Sequence, residues 1–186
     1  MTPPTGHTIL ITPRNDFAEE LTETVGRAVQ KIFGFSTAFH PFLTDLAFAF
    51  DAGREQYHST PILKQLADAA PQWALKILAL VDVDLFIPIL THVYGEAQLG
   101  GKACIVSSYR LKNEPWRHNS REKLLERMVK ESVHELGHTF NLRHCRDHRC
   151  IMHYCRSEAD VDLKSEELCR YCRIMLHDEI KRLTAL

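Results

Sequence analysis

The amino-acid sequence predicts an α/β protein in which helices cover a mixed, twisted sheet. Short apolar runs alternate with helical patterns over residues 7–110, one long amphipathic helix follows, and the last segment is rich in cysteine. At 186 residues, with 45% hydrophobic and 25% charged residues, the chain has the size and composition of one compact domain. We therefore expect a single domain over residues 1–186, with a larger part at about 1–141 and a smaller part at about 142–186.

Strand and helix patterns alternate through the first half of the chain. An apolar run that stops at Pro13 is typical of a short buried strand. The next segment repeats apolar residues at helical spacing, and Gly34 is suited to end that helix. The predicted elements are a strand at 7–13, a helix at 16–33, a strand at 35–42, a helix at 61–70 and a strand at 76–82. Alternation of this kind favours a sheet with helices packed on it.

The sequence L-G-G predicts a hairpin between two further strands, at 89–98 and 102–110. A glycine pair between two strand patterns is typical of a tight hairpin turn. Because the two arms of a hairpin run in opposite directions, the predicted sheet is mixed.

A long amphipathic helix is predicted at 121–141, with apolar residues repeating at helical spacing on one face. Asn119, Ser120 and Glu122 resemble an N-cap with a carboxylate in the first turn, so the helix has a start signal. A last helix is predicted at about 165–184. The long helix is the rigid element on which the most informative motif of the chain begins.

That motif reads H-E-L-G-H-T-F-N-L-R-H and starts at His134. His138 follows four residues later, so both imidazoles lie on one helix face and can bind the same metal ion. Glu135 flanks this pair, where a carboxylate can take a proton from a metal-activated water. His144 is too far along to share the metal on a straight helix. The chain must turn first, and Asn141 tolerates the left-handed conformation that such a turn requires.

Four of the six cysteines form two pairs near the end of the chain. Cys145 and Cys150 form C-x4-C, and Cys169 and Cys172 form C-x-x-C, which together can build a closed tetrahedral zinc site. Cys155 follows Cys150 at the same interval as Cys150 follows Cys145, so it could replace a member of the first pair. Disulfides are the alternative, but the N-terminus lacks the basic and apolar regions of a secretion signal.

Taken together, H-E-x-x-H-x-x-N-x-x-H-C-x4-C-x-M followed by C-x-x-C resembles the archaemetzincin family of the metzincin zinc peptidases. Asn141 stands where the metzincin pattern usually has glycine, and the segment between Met152 and Cys169 is one residue shorter than expected. Residues 82–107 are similar to the family's sheet region. The resemblance implies a metzincin-like zincin fold with a single catalytic domain, a long active-site helix and a small zinc-clamped C-terminal subdomain.

The resemblance also implies a role for each matched residue. It makes Glu135 the general base and Met152 the Met-turn residue beneath the imidazoles. The implied zinc ligands are His134, His138 and His144 at a catalytic zinc, and Cys145, Cys150, Cys169 and Cys172 at a structural zinc. Two zinc ions per chain follow, together with a peptide or protein substrate that could bind along an edge strand near 91–97.

Several side chains keep alternative interpretations at this point. Tyr154 resembles a metzincin tyrosine that can approach the metal, where its hydroxyl could bind zinc or stabilise an oxyanion, or it could simply pack against the C-terminal segment. Glu158 could supply a third zinc ligand in a thermolysin-like arrangement, although the spacing of His144 disfavours that. Asp82 and Asp84 could form a cation site or a solvated pair.

Charge and hydropathy exclude other classes of function. The net charge of −1 leaves no basic stripe for nucleic acid, and the most apolar region, 73–90, is broken by charged residues before it could span a membrane. We therefore expect a cytoplasmic, monomeric zinc metallopeptidase, either an endopeptidase or an aminopeptidase. The alternative is a zinc-stabilised protein with an occluded or non-catalytic site that binds peptides or partner proteins.

Overall fold

The computed structural model describes residues 7–14, 17–41, 45–112 and 120–185, and the statements below concern these residues. The strands are β1 (Thr8–Pro13), β2 (Ser36–Phe39), β3 (Phe50–Asp51), β4 (Gln56–His58), β5 (Ala74–Val81), β6 (Leu85–Phe86), β7 (Gly95–Ala97) and β8 (Ala103–Ser107). The α-helices are α1 (Glu19–Phe33), α2 (Ser59–Ala69), α3 (Ser120–Thr139), α4 (Glu158–Leu163) and α5 (Arg170–Thr184).

A five-stranded mixed sheet with the order β2-β1-β5-β8-β7 forms the centre of the fold. The first four strands are parallel, and β7 pairs antiparallel with β8 at the edge. Strand β5 is almost entirely buried, as expected for a parallel strand covered on both faces. A small second sheet has the order β3-β4-β6. The predicted fold class, a mixed sheet covered by helices, is confirmed.

Alternate residues of the central strands face two hydrophobic clusters. On one face, Leu78 and Leu80 pack with apolar residues of α1, α3 and the C-terminal segment. On the other face, Ile77 and Ala79 pack with apolar residues of α2. The first cluster joins α3 to the segment after it, since Met152 and Leu176 belong to the same cluster as residues of α1. The sheet is therefore sandwiched between helices, with α3 on the α1 side.

The helices agree with the sequence at most of their ends. Helix α1 ends at Gly34, whose φ of 75° is the left-handed conformation that glycine adopts without steric cost. Helices α2 and α3 lie where the sequence places them. The predicted beginning of the first helix at Asp16 and the predicted N-cap residue Asn119 lie outside the described residues.

Three parts of the sequence-based prediction are wrong. The predicted strand 89–98 is a strand only at Gly95–Ala97, because Val93 instead donates its N–H to Leu85 of the small sheet at 2.9 Å. The last helix begins at Arg170 rather than near 165, because the preceding turn is bonded back to the loop around Ile151. The separate helix α4 was not predicted, although Ser157 and Asp160 form its capping box.

The later part of helix α3 is unusual because its polar residues are as buried as its apolar ones. Every residue from Arg127 to Gly137 is buried. The segment around α4 supplies the polar partners: Arg127 bonds to the Asp162 carboxylate at 2.7 and 2.8 Å, and Lys130 donates to the carbonyl of Val161 at 3.1 Å. Such pairing is required because an unpaired buried charge is costly. Among the described residues, no helix combines the length and apolar character needed to cross a membrane.

The end of α3 is held by a buried lysine from the sheet. Lys76 on β5 donates to the carbonyl of Thr139 at 2.7 Å and to that of Gly101 at 2.8 Å. Its ammonium group also lies 4.9 Å from the ring centre of Phe140. A cation at a helix C-terminus is favourable because it meets the negative end of the helix dipole. Lys76 therefore connects the sheet, the β7–β8 hairpin and the helix that begins the histidine motif.

We expect the Lys76→Met variant to lower the free energy of unfolding by about 2 kcal/mol near neutral pH, because two carbonyls lose their buried donor. Urea denaturation measures this change. The matched control is Lys64→Met on α2, which replaces an exposed lysine and should stay within about 0.5 kcal/mol of wild type. Equal effects of the two substitutions would contradict the role given to Lys76.

The difference in stability between wild type and Lys76→Met should depend on pH. Burial lowers the pKa of Lys76 from 10.5 to about 8, although the nearby Glu179 carboxylate opposes the shift. Between these two pH values the unfolded chain keeps a proton that the folded chain has released, so the free energy of unfolding rises with pH. Wild type should therefore gain stability relative to Lys76→Met from about pH 8 to pH 10.5.

Candidate active site and metal centres

Two imidazoles face each other on the last turns of α3. The Nε2 atoms of His134 and His138 are 3.1 Å apart. The Nδ1 atom of His134 lies 2.9 Å from the carbonyl oxygen of Ile151, and that of His138 lies 2.7 Å from the carbonyl oxygen of Leu142. Because each Nδ1 donates its hydrogen to a carbonyl, the two Nε2 atoms present lone pairs to each other. Two lone pairs at this distance repel unless a cation lies between them, so the pair fits a metal ion.

A left-handed residue ends α3 and brings the third histidine back to the other two. Asn141 has a φ of 63°. The N–H of Leu142 donates to Gly137 at 3.0 Å and that of Asn141 donates to His138 at 2.9 Å, which is the Schellman arrangement. The predicted turn at Asn141 is thus confirmed. The ring of His144 then lies 4.8 Å from that of His138, between ring centres.

The three histidines form one group in a setting that keeps them neutral. Nitrogen atoms of His134, His138 and His144, one from each, all lie within 4.8 Å of one another. Burial lowers the pKa of all three imidazoles, most strongly at His134, and the Lys164 ammonium lowers each further. A metal ion requires the neutral form of histidine, so this electrostatic setting suits a metal ligand group.

Glu135 lines a cleft of about 570 Å³ together with the three histidines. Burial raises the pKa of its carboxyl group well above the ordinary value, and the neighbouring Glu131 carboxylate adds to the rise. Strand β7 lines one side of the cleft, and Tyr154, Cys155 and Arg156 also line it. A carboxyl group with a raised pKa in a cleft is suited to exchanging protons near neutral pH.

The four paired cysteines converge on a second point. Their Sγ atoms all lie within 4.8 Å of one another, and those of Cys145 and Cys169 are 3.7 Å apart. The N–H of Cys169 donates to the Sγ atom of Cys150 at 3.3 Å, a contact that favours a thiolate. All four thiols, including that of Cys172, are free. Four free thiols at this separation match the donor set of a tetrahedral zinc site.

Cys155 lies outside the thiol group. Its Sγ atom donates instead to the carbonyl of His153 at 3.6 Å, and burial raises the pKa of this thiol to about 11. The group of four therefore contains both pairs that the sequence indicated, and the alternative in which Cys155 replaces one member is not the arrangement observed.

Met152 packs directly beneath the histidine motif. Its side chain is fully buried. The N–H of Cys145 donates to the carbonyl of Met152 at 2.9 Å, so the chain folds back on itself between these two residues. A Cβ atom added at Gly137 would lie 2.5 Å from the Met152 sulfur. Glycine at this position of α3 therefore permits the close contact between the helix and the methionine.

The remaining sequence candidates have other surroundings. The Tyr154 ring lies 5.1 Å from that of His144 and is 43% exposed, so it lines the cleft. Glu158 begins α4 and is not part of the histidine group. The two aspartates each pair with a basic side chain: Asp84 bonds to Arg110 at 2.6 Å with little exposure, and the more exposed Asp82 bonds to Lys112 at 2.5 Å.

Sequence reasoning missed a buried ion pair beside the cleft. The Nζ atom of Lys164 lies 2.7 Å from a carboxylate oxygen of Glu131, and the two side chains are 1% and 6% exposed. Glu131 precedes Glu135 by one helical turn, and the charge of Lys164 lowers the pKa of Glu135 against the effect of burial. Nothing in the local sequence indicates this pair, since its members are far apart in the chain.

We expect Lys164→Met to lower the free energy of unfolding by about 3–5 kcal/mol, because it leaves the Glu131 carboxylate buried without a partner. The double variant Glu131→Met, Lys164→Met should recover much of that loss, since neither charge is then buried. Urea denaturation of the four proteins gives the coupling between the two residues.

The control for this experiment is the exposed ion pair between Lys31 and Glu167, whose side chains are 72% and 52% exposed. Lys31→Met should cost less than about 1 kcal/mol. A loss in Lys164→Met no larger than that of the control would show that the buried pair does not stabilise the fold.

Three histidines and a carboxylate around a helix end, on a mixed α/β framework, are the features of a metal-dependent peptidase class. Comparison with known proteins agrees. Residues 56–178 match peptidase family M54. The archaemetzincin of Methanocaldococcus jannaschii is 33% identical over 171 residues, which cover 91% of this chain and 93% of that protein. The archaemetzincin of Pyrococcus horikoshii is 38% identical over 144 residues, covering 75% of this chain and 76% of that protein.

Solved structures show the same fold. The crystal structure of archaemetzincin from Methanopyrus kandleri has a TM-score of 0.82 and 30% identity, covering 98% of this chain and 100% of that chain. The archaemetzincin of Archaeoglobus fulgidus, complexed with malonate, has a TM-score of 0.78 and 32% identity, covering 90% and 99%. The chain therefore belongs to peptidase family M54, the archaemetzincins, and is a zinc metallopeptidase.

Proposed function

We propose that this metallopeptidase hydrolyses peptide bonds at a single catalytic zinc held by His134, His138 and His144, with Glu135 as the general base. The proposal depends on one observation. The Nε2 atoms of His134 and His138 lie 3.1 Å apart with their lone pairs facing each other, and the buried carboxyl group of Glu135 lines the same cleft. Without a cation this arrangement would only destabilise the fold, because it buries two lone pairs that repel each other beside an ionisable carboxyl group.

Each side chain of the site has a separate role in the proposed hydrolysis. Zinc at this site supplies Lewis-acid polarisation of the substrate carbonyl and makes the attacking water more acidic. Glu135 accepts the proton of that water and then hands it to the leaving amine. The carbonyls of Ile151 and Leu142 hold His134 and His138 in the tautomer that leaves Nε2 free. Tyr154, whose ring lies beside His144, stays a candidate for contact with the oxyanion.

The substrate is a peptide or protein segment bound in extended form along β7. This strand is one edge of the five-stranded sheet and lines the same cleft as Glu135. An edge strand offers unpaired backbone groups to which an extended peptide can add. Binding of this kind places the substrate backbone between the sheet edge and the histidine group.

A second zinc ion on Cys145, Cys150, Cys169 and Cys172 supports the first. The segment after α3 is too short to form a core of its own, and its apolar residues share the cluster that contains α1 and α3. Holding the thiols together keeps this segment beneath α3. We infer one catalytic domain in which residues of about 1–141 and about 142–186 share that core. A monomeric state, a cytoplasmic location and the absence of a nucleic-acid partner remain predictions.

Replacement of the general base is the direct test of the activity. We expect Glu135→Ala to lower the rate of peptide hydrolysis by at least about 100-fold while its zinc content stays that of wild type, because the carboxylate is not a ligand. Turnover on a broad peptide library, with zinc measured by elemental mass spectrometry, checks both. Glu126→Ala, an exposed glutamate of the same helix, is the control and should keep full activity.

Absence of turnover in the wild-type protein would instead favour a binding module with an occluded site. Unchanged turnover in Glu135→Ala would show that another group acts as the base.

Metal content tests the two-site arrangement. Protein purified without added metal should carry two zinc ions per chain, and the double variant Cys169→Ser, Cys172→Ser should carry one. Hydrolysis should also decrease in the double variant, because the segment that carries His144 and Met152 loses its clamp. Cys155→Ser is the control for zinc content, since this thiol lies outside the group of four.

Full hydrolytic activity in the double variant would rule out the coupling between the two sites. A single zinc in wild type that disappears in the double variant would mean that the histidine group does not retain metal.

A further inference from the structure

Strand β7 presents two residues to the cleft through their backbone. The carbonyl of Tyr94 and the N–H of Gln98 bond to β8 at 2.8 and 3.0 Å. In an antiparallel pair, residues alternate between those bonded to the neighbour and those whose backbone groups point away. Gly95 and Ala97 lie at the intervening positions, so their N–H and C=O groups face outward. A peptide that extends the sheet would therefore bond to these two residues.

The side chain of Glu135 occupies the space that a side chain at Gly95 would need. A Cβ atom added at Gly95 would lie 2.7 Å from Cγ and 3.1 Å from Cδ of Glu135. The first distance is shorter than real contacts of a Cβ atom, and the second is tighter than most van der Waals contacts between carbon atoms. The contact agrees with the pleat of the strand, since Glu96 points to the other face, where Ser59 and Thr60 donate to its carboxylate at 2.5 and 2.9 Å.

We propose that Gly95 is a positioning residue of this peptidase. Because Gly95 has no side chain, the carboxylate of Glu135 can lie close to the backbone of β7 to which the substrate would bind. A peptide bonded to Gly95 would then have its backbone beside the group that transfers the proton. The proposal rests on the function proposed for Glu135. It also explains where the Glu135 side chain lies, since that side chain packs against the backbone of β7 at a residue that has no Cβ atom.

A purely structural explanation is the competing one, because the added Cβ atom would also lie 2.6 Å from the carbonyl oxygen of Ile105 on β8. In that case glycine would be required by the strand pairing alone. The two explanations differ in what relieves the strain. Removing the Glu135 side chain relieves the first contact and leaves the second unchanged, so the coupling between positions 95 and 135 separates them.

The first experiment compares Gly95→Ala with wild type in steady-state hydrolysis of a peptide substrate. We expect kcat to fall by about 100-fold or more, because misplacing a catalytic group by about 1 Å has effects of that size. KM should change little, because alanine keeps the outward backbone groups, and the zinc content should be unchanged. Gly101→Ala is the matched control: its Cβ atom would crowd Gln98 in the same hairpin without touching Glu135, so kcat should stay near wild type.

The second experiment needs no turnover. The thermal midpoint is measured for wild type, Gly95→Ala, Glu135→Ala and the double variant. We expect the decrease caused by Gly95→Ala to be smaller by about 3 °C or more in the Glu135→Ala background, where Cγ and Cδ are absent. If Gly95→Ala fails to fold while the double variant folds, the same coupling is shown in its strongest form.

The outcomes distinguish a failure of the role proposed for Gly95 from a failure of the proposed peptidase mechanism. Equal decreases in both backgrounds, or wild-type kcat in Gly95→Ala, would overturn the role of Gly95 and leave the proposed function standing. Absence of hydrolysis in wild type and in Gly101→Ala would overturn the proposed function, and the positioning role would fall with it. Failure of both Gly95→Ala and the double variant to fold would assign the glycine to strand pairing and overturn the inference.

Discussion

The reversal of the chain at the end of α3 is the constraint on which both ligand groups depend. Asn141 adopts the left-handed conformation, and the two hydrogen bonds that follow return the chain beneath the helix it has just left. As a result, the carbonyls of Leu142 and Ile151 reach the Nδ1 atoms of the two helical histidines. The same reversal delivers His144 and the first thiol pair. A helix continued by one more turn would carry all of these groups away from the site.

The segment after the reversal shares an apolar cluster with α3, and its thiol group and its ion pairs with α3 add to that packing. The thiol group gathers its ends, and charged side chains of α3 bond to its middle, where Arg127 pairs with Asp162 and Glu131 pairs with Lys164. The ion pairs are buried, so each stabilises the arrangement mainly by making its disruption costly. One of these pairs also acts on the site, since Glu131 lines the cleft and Lys164 lowers the pKa of all three imidazoles. The Glu131–Lys164 pair thus contributes both to stability and to the electrostatics of the site.

Much of the fold and of the candidate site could be predicted, and the failures have a common cause. Periodicity identified α1, α3 and the central strands because each buries a regular face. Glycine and asparagine at Gly34 and Asn141 signalled helix ends because few residues adopt a left-handed backbone. The strands of the small sheet are two or three residues long, too short for any period to show. Residues 89–94 carried an apolar pattern but formed turns, because their backbone partners lie in that small sheet.

What the sequence by itself determined is the chemistry: the imidazoles, the carboxylate and the thiols, at intervals that a helix, a turn and a short loop convert into two clusters. These relations are local, and local geometry follows from residue type. Only the tertiary structure decided that the carbonyl of Ile151 orients His134, that Lys164 neutralises Glu131, and that Glu135 rests against Gly95. These contacts join residues distant in sequence, and they exist because the sheet, α3 and the C-terminal segment share one closely packed interior, in which position depends on all neighbours at once.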